Sequence, residues 1–124
     1  MAHTVLAVDD DPVVFWVLRR FLEGTDYQLT RANNGREALE LATRDLPQLI
    51  ILDVLMPDVG GLTVLRQLKS NEATKRIPVI VLTILADRTT QLEAIASGAE
   101  LFLHKPFTKA QLLGALRQLL PEPK

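Results

Sequence analysis

Short apolar runs alternate with helix-like patterns along the whole chain. Four runs rich in apolar and β-branched residues predict β-strands at 4–8, 49–52, 78–83 and 100–104, and an alternating segment predicts a half-exposed strand at 27–32. Between and after these runs, apolar residues recur at the three- and four-residue spacing of amphipathic helices. Strand and helix therefore alternate five times, which predicts a parallel sheet covered by helices on both faces.

Capping signals mark where several of the predicted helices begin. Four positions resemble N-caps with a matching partner: Asp11 before Pro12, Asn34 with Glu37, Thr90 with Glu93, and Thr108 with Gln111. The pair Gly60 and Gly61 comes before a helix marked by leucines, and we expect it to give that loop flexibility. Together, these signals predict five helices.

This element order is typical of a doubly wound α/β fold. Right-handed crossovers leave few topologies, and we expect the flavodoxin-like strand order 2-1-3-4-5 with five helices. Residues 1–120 are predicted to form one domain, and residues 121–124 a C-terminal tail or the start of a linker. Ligands of such sheets bind at the carboxyl ends of the strands, so the chemistry is expected there.

Composition narrows the classes of function. The 124 residues include 14 basic and 15 acidic side chains, which argues against direct nucleic-acid binding by a basic surface. The chain has no cysteine, which excludes disulfides and thiolate chemistry. It contains neither a signal-peptide pattern nor an apolar stretch of about 20 residues, so we expect a cytoplasmic protein with no membrane partner.

Polar residues follow the predicted strands at one edge of the sheet. Asp9 and Asp10 follow the first strand, Asp53 follows the third, Thr83 ends the fourth and Lys105 follows the fifth. In the order 2-1-3-4-5 the first and third strands are neighbours. We therefore expect Asp9 or Asp10 beside Asp53, with Thr83 and Lys105 completing the rim.

Such a group of carboxylates needs positive charge nearby. Two carboxylates about 6 Å apart repel by roughly 3 kcal/mol at an effective dielectric constant near 20. Either their pKa values rise, or cations neutralise them. Lys105 supplies one positive charge, and an all-oxygen site suits Mg²⁺ as a second source. Asp53 is then the candidate nucleophile for an aspartyl phosphate, with Thr83 and Lys105 binding phosphoryl oxygens.

Taken together, these motifs resemble the receiver domain of two-component response regulators over residues 4–120. The resemblance rests on four motifs in order: the pair Asp9-Asp10, the segment "LDVLMPDVGG", Thr83, and "KPF" at 105–107. It implies that Asp53 accepts the phosphoryl group and Lys105 binds it. It also implies a Mg²⁺ site formed by Asp9, Asp10 and Asp53, with Asp10 as a direct ligand and the backbone carbonyl of Leu55 as the third protein ligand.

The same resemblance implies a conformational switch. Thr83 would be the switch hydroxyl, Phe102 the switch aromatic residue, and Pro106 would follow a cis peptide bond. The phosphodonor would be a sensor histidine kinase or a phosphotransfer protein. The domain would catalyse its own phosphorylation and dephosphorylation without being a conventional enzyme. Its output would be the face formed by helix four, strand five and helix five, through which two copies could form a homodimer.

The chain departs from the family pattern after the switch threonine. Residue 84 is usually alanine or glycine in receivers, and here it is Ile84. Leu55 and Leu85 are also apolar and are expected to flank the site, so that the three side chains slow the entry of attacking water.

Two other functions compete with the switch. Ile84 favours a receiver-like scaffold that binds partners without phosphorylation. An aspartate-based phosphohydrolase would need a second acid at position 55, which is leucine.

Overall fold

The computed structural model describes residues 3–56, 60–85 and 87–120. The predicted tail at 121–124 and residues 57–59 of the "LDVLMPDVGG" segment lie outside this part. Strands and helices alternate in the order β1 (His3–Val8), α1 (Pro12–Phe21), β2 (Tyr27–Ala32), α2 (Gly35–Asp45), β3 (Leu49–Leu52), α3 (Gly61–Ser70), β4 (Val79–Thr83), α4 (Arg88–Ala96), β5 (Leu101–His104) and α5 (Lys109–Leu119).

The five strands form one parallel sheet in the order β2-β1-β3-β4-β5, as predicted. Across the sheet, Val8 pairs with Leu52, Leu52 with Val81 and Val81 with Phe102. Because all strands run the same way, their carboxyl ends meet along one edge. The polar residues that follow β1, β3, β4 and β5 therefore share that edge.

Alternate strand residues feed two separate apolar layers. Leu6 and Val8 face one layer, which packs beneath α2, α3 and α4. Val5 and Ala7 face the other, which packs beneath α1 and α5. All four residues of Leu49–Leu52 are at most 2% exposed, because helices cover both faces of the sheet. This explains why β3 reads as a continuous apolar run rather than an alternating one.

The helix starts follow the capping signals with one exception. The side chains of Asp11, Asn34 and Thr108 each accept a hydrogen bond from a backbone amide in the first turn of α1, α2 and α5. The predicted cap of α4 at Thr90 is wrong. Asp87 caps that helix, because its carboxylate accepts hydrogen bonds from both the backbone amide and the hydroxyl of Thr90.

Helix α4 is shallowly packed. Among the side chains described for it, Ala94 alone is buried, while Leu92 and Ile95 are 56% and 47% exposed.

None of the helices in the described ranges has the length and apolarity needed to cross a lipid bilayer.

Candidate functional site

A cleft of about 470 Å³ opens at the carboxyl edge of the sheet, where β1, β3, β4 and β5 end. Its lining includes the predicted acids and lysine together with several apolar side chains: Asp9, Asp10, Asp11, Val14, Asp53, Leu55, Met56, Ile84 and Lys105. The fold therefore brings the predicted acids and Lys105 together in one cavity. Thr83, Phe102 and Pro106 lie outside this lining.

Lys105 lies between the two buried acids. Its Nζ donates hydrogen bonds to Asp9 Oδ2 at 2.7 Å and to Asp53 Oδ2 at 2.9 Å. The second oxygen of each acid accepts a hydrogen bond from a backbone amide. The amide of Asp11 donates to Asp9 Oδ1, and the amide of Leu55 donates to Asp53 Oδ1, both at 2.9 Å. Each carboxylate is thus held at both oxygens. Their orientation is fixed before any ligand arrives.

Burial and charge pull the pKa values of this cluster in opposite directions. Burial raises the pKa of Asp9 above its usual range, outweighing the hydrogen bonds from Lys105 and from the Asp11 amide. Burial by itself would lower the pKa of Lys105. The hydrogen bonds and charges of Asp9 and Asp53 together outweigh that effect, so the pKa of Lys105 is raised. The ammonium form of Lys105 is therefore strongly favoured.

The acids also have the geometry of a cation site. Asp9, Asp10 and Asp53 each offer a carboxylate oxygen, and these oxygens lie within 4.8 Å of one another. Asp10 is exposed, whereas Asp9 and Asp53 are buried. When all are ionised, three carboxylates and one ammonium leave two negative charges uncompensated. A hard divalent cation with oxygen ligands fits this donor set and this charge.

Thr83 and Phe102 do not line the cleft. Thr83 is 0% exposed, and its Oγ1 accepts a hydrogen bond from Leu85 N at 3.3 Å. Phe102 is partly buried and packs against the layer beneath α2, α3 and α4. The backbone amide of Lys105 donates to the carbonyl of Thr83, and the Lys105–Pro106 peptide bond is cis.

An apolar rim borders the acids. The side chains of Leu55 and Ile84 line the cleft and are 49% and 59% exposed. The expectation that Leu85 also flanks the site is wrong, because Leu85 is partly buried and packs against the core layer beneath α2, α3 and α4. Val14 and Met56 also line the cleft, and no sequence pattern predicted this. The sequence pattern of an apolar residue on a helix or in a turn is the same whether the side chain lines a cleft or lies in the core.

Gly61 has a steric role that differs from the expected flexibility. A Cβ built on Gly61 would collide with the Asp53 carbonyl oxygen and the Val54 Cα. The amide of Gly61 donates to the carbonyl of Val54 at 3.1 Å, so α3 starts in direct contact with the loop that carries Asp53. A Cβ on Gly60 would meet nothing within 4 Å. Gly61 is thus required for close backbone approach.

Comparisons with known proteins agree with this geometry. The family model described as "Response regulator receiver domain" matches residues 5–117. The response regulator MprA of Mycobacterium leprae is 42% identical over 97% of this chain. This chain spans 52% of that relative, and about a quarter to a half of other curated response regulators that it matches.

Solved structures give the same result. The chemotaxis protein CheY4 of Vibrio cholerae is 32% identical with a TM-score of 0.90, covering 97% of this chain and all of that one. The receiver domain of the sensor histidine kinase PA1611 from Pseudomonas aeruginosa is 28% identical with a TM-score of 0.87, covering 96% of this chain and 98% of that one. That structure has a magnesium ion coordinated in its active site cleft.

Replacing Gly61 with alanine should destabilise the protein by about 1–3 kcal/mol, because the backbone at Asp53 or the start of α3 must move to admit the methyl group. Urea unfolding measures this change. Gly60→Ala is the matched control and should change the free energy of unfolding by much less, since its Cβ has open space. Equal effects of the two substitutions would contradict the steric role.

The raised pKa of Asp9 predicts that Asp9→Asn is more stable than the wild type at pH 7 when divalent cations are chelated. A group whose pKa is higher in the folded state stabilises the fold at pH values below its unfolded pKa, and that contribution is lost as the pH rises through the folded pKa. The gain from Asp9→Asn should therefore shrink as the pH falls towards about 4. Urea unfolding across this pH range measures it.

Asp45→Asn provides the control for that series. Asp45 is an exposed carboxylate whose pKa is lowered by its hydrogen bond with Arg44. Its substitution should produce no gain in stability at pH 7 and only a small change overall, because exposed ion pairs contribute little to stability. An Asp9→Asn variant less stable than the wild type at pH 7 would contradict the sign assigned to the buried acid.

Proposed function

This chain belongs to the response regulator receiver domain family, and on that premise we propose that it is a signalling switch that accepts a phosphoryl group on Asp53. One observation carries the proposal. Asp53 is buried at the strand edge, 2.9 Å from Lys105 and beside two further acids, in a cleft open to solvent. This arrangement provides an oriented nucleophile, a fixed cation and room for a tetrahedral phosphoryl group.

Asp53 would react through a carboxylate oxygen. That oxygen attacks phosphorus, the P–N bond of a phosphohistidine breaks, and the leaving imidazole nitrogen takes up a proton. The donor we propose is a sensor histidine kinase or a phosphotransfer protein. Lys105 would donate to one phosphoryl oxygen. Thr83 Oγ1 accepts the amide of Leu85, and its hydroxyl proton would serve a second phosphoryl oxygen.

Asp9, Asp10 and Asp53 would hold Mg²⁺, together with the backbone carbonyl of Leu55. When bound, the ion neutralises acid charge and binds a phosphoryl oxygen. The donor set supports this assignment, because all three carboxylates present oxygens within 4.8 Å of one another. Lys105 cannot neutralise three acids alone. The chain's own contribution is to keep the carboxylates oriented through the amides of Asp11 and Leu55.

The switch itself would run from Thr83 through Phe102 to α4, β5 and α5. Phosphorylation would shift the population of two pre-existing conformations of this face. Leu92 and Ile95 on α4 are exposed apolar side chains, and Phe102 on β5 is partly buried. We propose this face as the surface for partners, including a second copy of the domain.

The alternative is a receiver-like scaffold that works without phosphorylation. Its expected signature is loss of Asp53, of an acid of the pair, or of Lys105, and all of these are present. Ile84 borders the cleft but leaves about 470 Å³ open. The switch is therefore the better supported function.

Incubation with Mg²⁺ and acetyl phosphate, followed by intact mass measurement, tests the proposal. The wild type should gain one phosphoryl group, and both Asp53→Ala and the addition of a chelator should abolish the gain. Asp11→Asn is the matched control, because asparagine also caps helices and Asp11 is not a proposed ligand. No gain in the wild type would favour the scaffold.

The apolar rim predicts a long-lived phosphoryl group. Leu55 and Ile84 border Asp53, so they should hinder the approach of attacking water. We expect Leu55→Asn and Ile84→Ala each to shorten the half-life of the phosphorylated protein several-fold, as followed by intact mass after removal of the donor.

Leu92→Asn is the control for these half-lives, because Leu92 is similarly exposed but lies on α4 outside the cleft lining. Its half-life should equal that of the wild type. A wild-type half-life of seconds that stays unchanged in Leu55→Asn would overturn the shielding role of the rim.

A further inference from the structure

His104 forms a hydrogen bond that plays no part in the switch proposed above. It is the last residue of β5, and it lies opposite Thr83 in the register of β4 and β5. Its Nε2 is 3.2 Å from the carbonyl oxygen of Ile84, in the loop between β4 and α4. A carbonyl oxygen can only accept, so Nε2 must carry the hydrogen of this bond.

This contact holds one end of a single peptide group. The carbonyl of the Ile84–Leu85 peptide accepts from His104, and the amide of the same peptide donates to Thr83 Oγ1 at 3.3 Å. Because a peptide group is planar and rigid, fixing its carbonyl also fixes the direction of its amide. His104 therefore acts on the Thr83 hydroxyl through the backbone between them.

The same peptide also follows the Ile84 side chain that lines the cleft. Ile84 lines the same cavity as Asp53 and Lys105, while its carbonyl accepts a hydrogen bond from His104 on β5. A rotation of the peptide would move both the rim of the cleft and the partner of Thr83. The loop is thus held from outside the reactive centre, by a side chain that touches none of the reacting atoms.

We propose that His104 is a positioning residue that latches the β4–α4 loop in its resting conformation and so sets how readily the switch responds. This inference rests on the proposed function of Asp53 and Thr83. Replacing His104 with a residue that cannot donate would remove one hydrogen bond from the resting conformation and none from the active one. A net hydrogen bond of ordinary strength corresponds to about a two- to tenfold change in an equilibrium constant. A larger active population raises the apparent affinity for a phosphoryl mimic by the same factor.

The test compares His104→Leu, which has no donor, with His104→Gln, whose amide nitrogen can replace Nε2. The measurement is the apparent dissociation constant for beryllofluoride in the presence of Mg²⁺, followed by ¹⁹F NMR. The expected result is binding about two- to tenfold tighter in His104→Leu and within about twofold of the wild type in His104→Gln. Rescue by glutamine separates donation from mere packing of a ring.

A second readout uses the unphosphorylated protein. The chain has two histidines, so ¹⁵N spectra of histidine-labelled wild type and His104→Gln assign the His104 ring directly. The ring should show a protonated Nε2. In uniformly ¹⁵N-labelled protein, the amide resonance of Leu85 should shift in His104→Leu but not in His104→Gln.

Two results would overturn the latch while leaving the proposed function intact. One is a wild type that binds beryllofluoride with the same constant as His104→Leu. The other is a His104→Gln variant that behaves like His104→Leu. A wild type that does not bind beryllofluoride at all would overturn both the switch and the latch.

Discussion

The structure depends on how two buried carboxylates are accommodated side by side. Asp9 and Asp53 are 4% and 5% exposed, and buried charges are tolerated only when they are paired and hydrogen-bonded. Lys105 donates hydrogen bonds to both carboxylates at the edge of the sheet, and the amides of Asp11 and Leu55 donate to their remaining oxygens. Strand order makes this possible, because β1 and β3 are adjacent and β5 returns the lysine to the same edge. Without that topology, the three charges would not meet.

The same edge separates a stiff part of the molecule from a loosely held one. The strands behind the acids are almost fully buried, and Gly61 locks the start of α3 against the Asp53 backbone. On the other side, α4 buries one described side chain, and its first turn depends on the exposed cap Asp87. A change at Asp53 is therefore expected to displace the β4–α4 loop and α4 before it displaces the acids. In the proposed switch, this contrast would link the chemistry of the cleft to the face formed by α4, β5 and α5.

Sequence patterns predicted the fold well wherever a local rule was dominant. The bounds of β2 match its alternating segment and those of β3 its apolar run, and Thr108 with Gln111 forms the expected capping box. The start of α4 was misplaced because two capping signals lie three residues apart, and Asp87 satisfies both polar groups of Thr90.

The acids and Lys105 could be assigned to one edge because strand order alone brings them together. The contacts of Gly61, Leu85 and His104 could not be predicted from the sequence, because each depends on which backbone atom of another segment lies nearby. Periodicity gives the face on which a side chain lies, and it does not give the distance to a loop.

The strengths of the contacts around the site also decide what can move. Lys105 makes two short, charge-assisted hydrogen bonds of 2.7 and 2.9 Å, which are roughly twice as strong as neutral ones. The contacts of the β4–α4 loop are longer and neutral on the acceptor side, at 3.2 and 3.3 Å. New hydrogen bonds at Asp53 would therefore overcome the loop contacts well before they displaced the lysine. The proposed switch would therefore keep its reactive centre in place and move the peptide between Ile84 and Leu85.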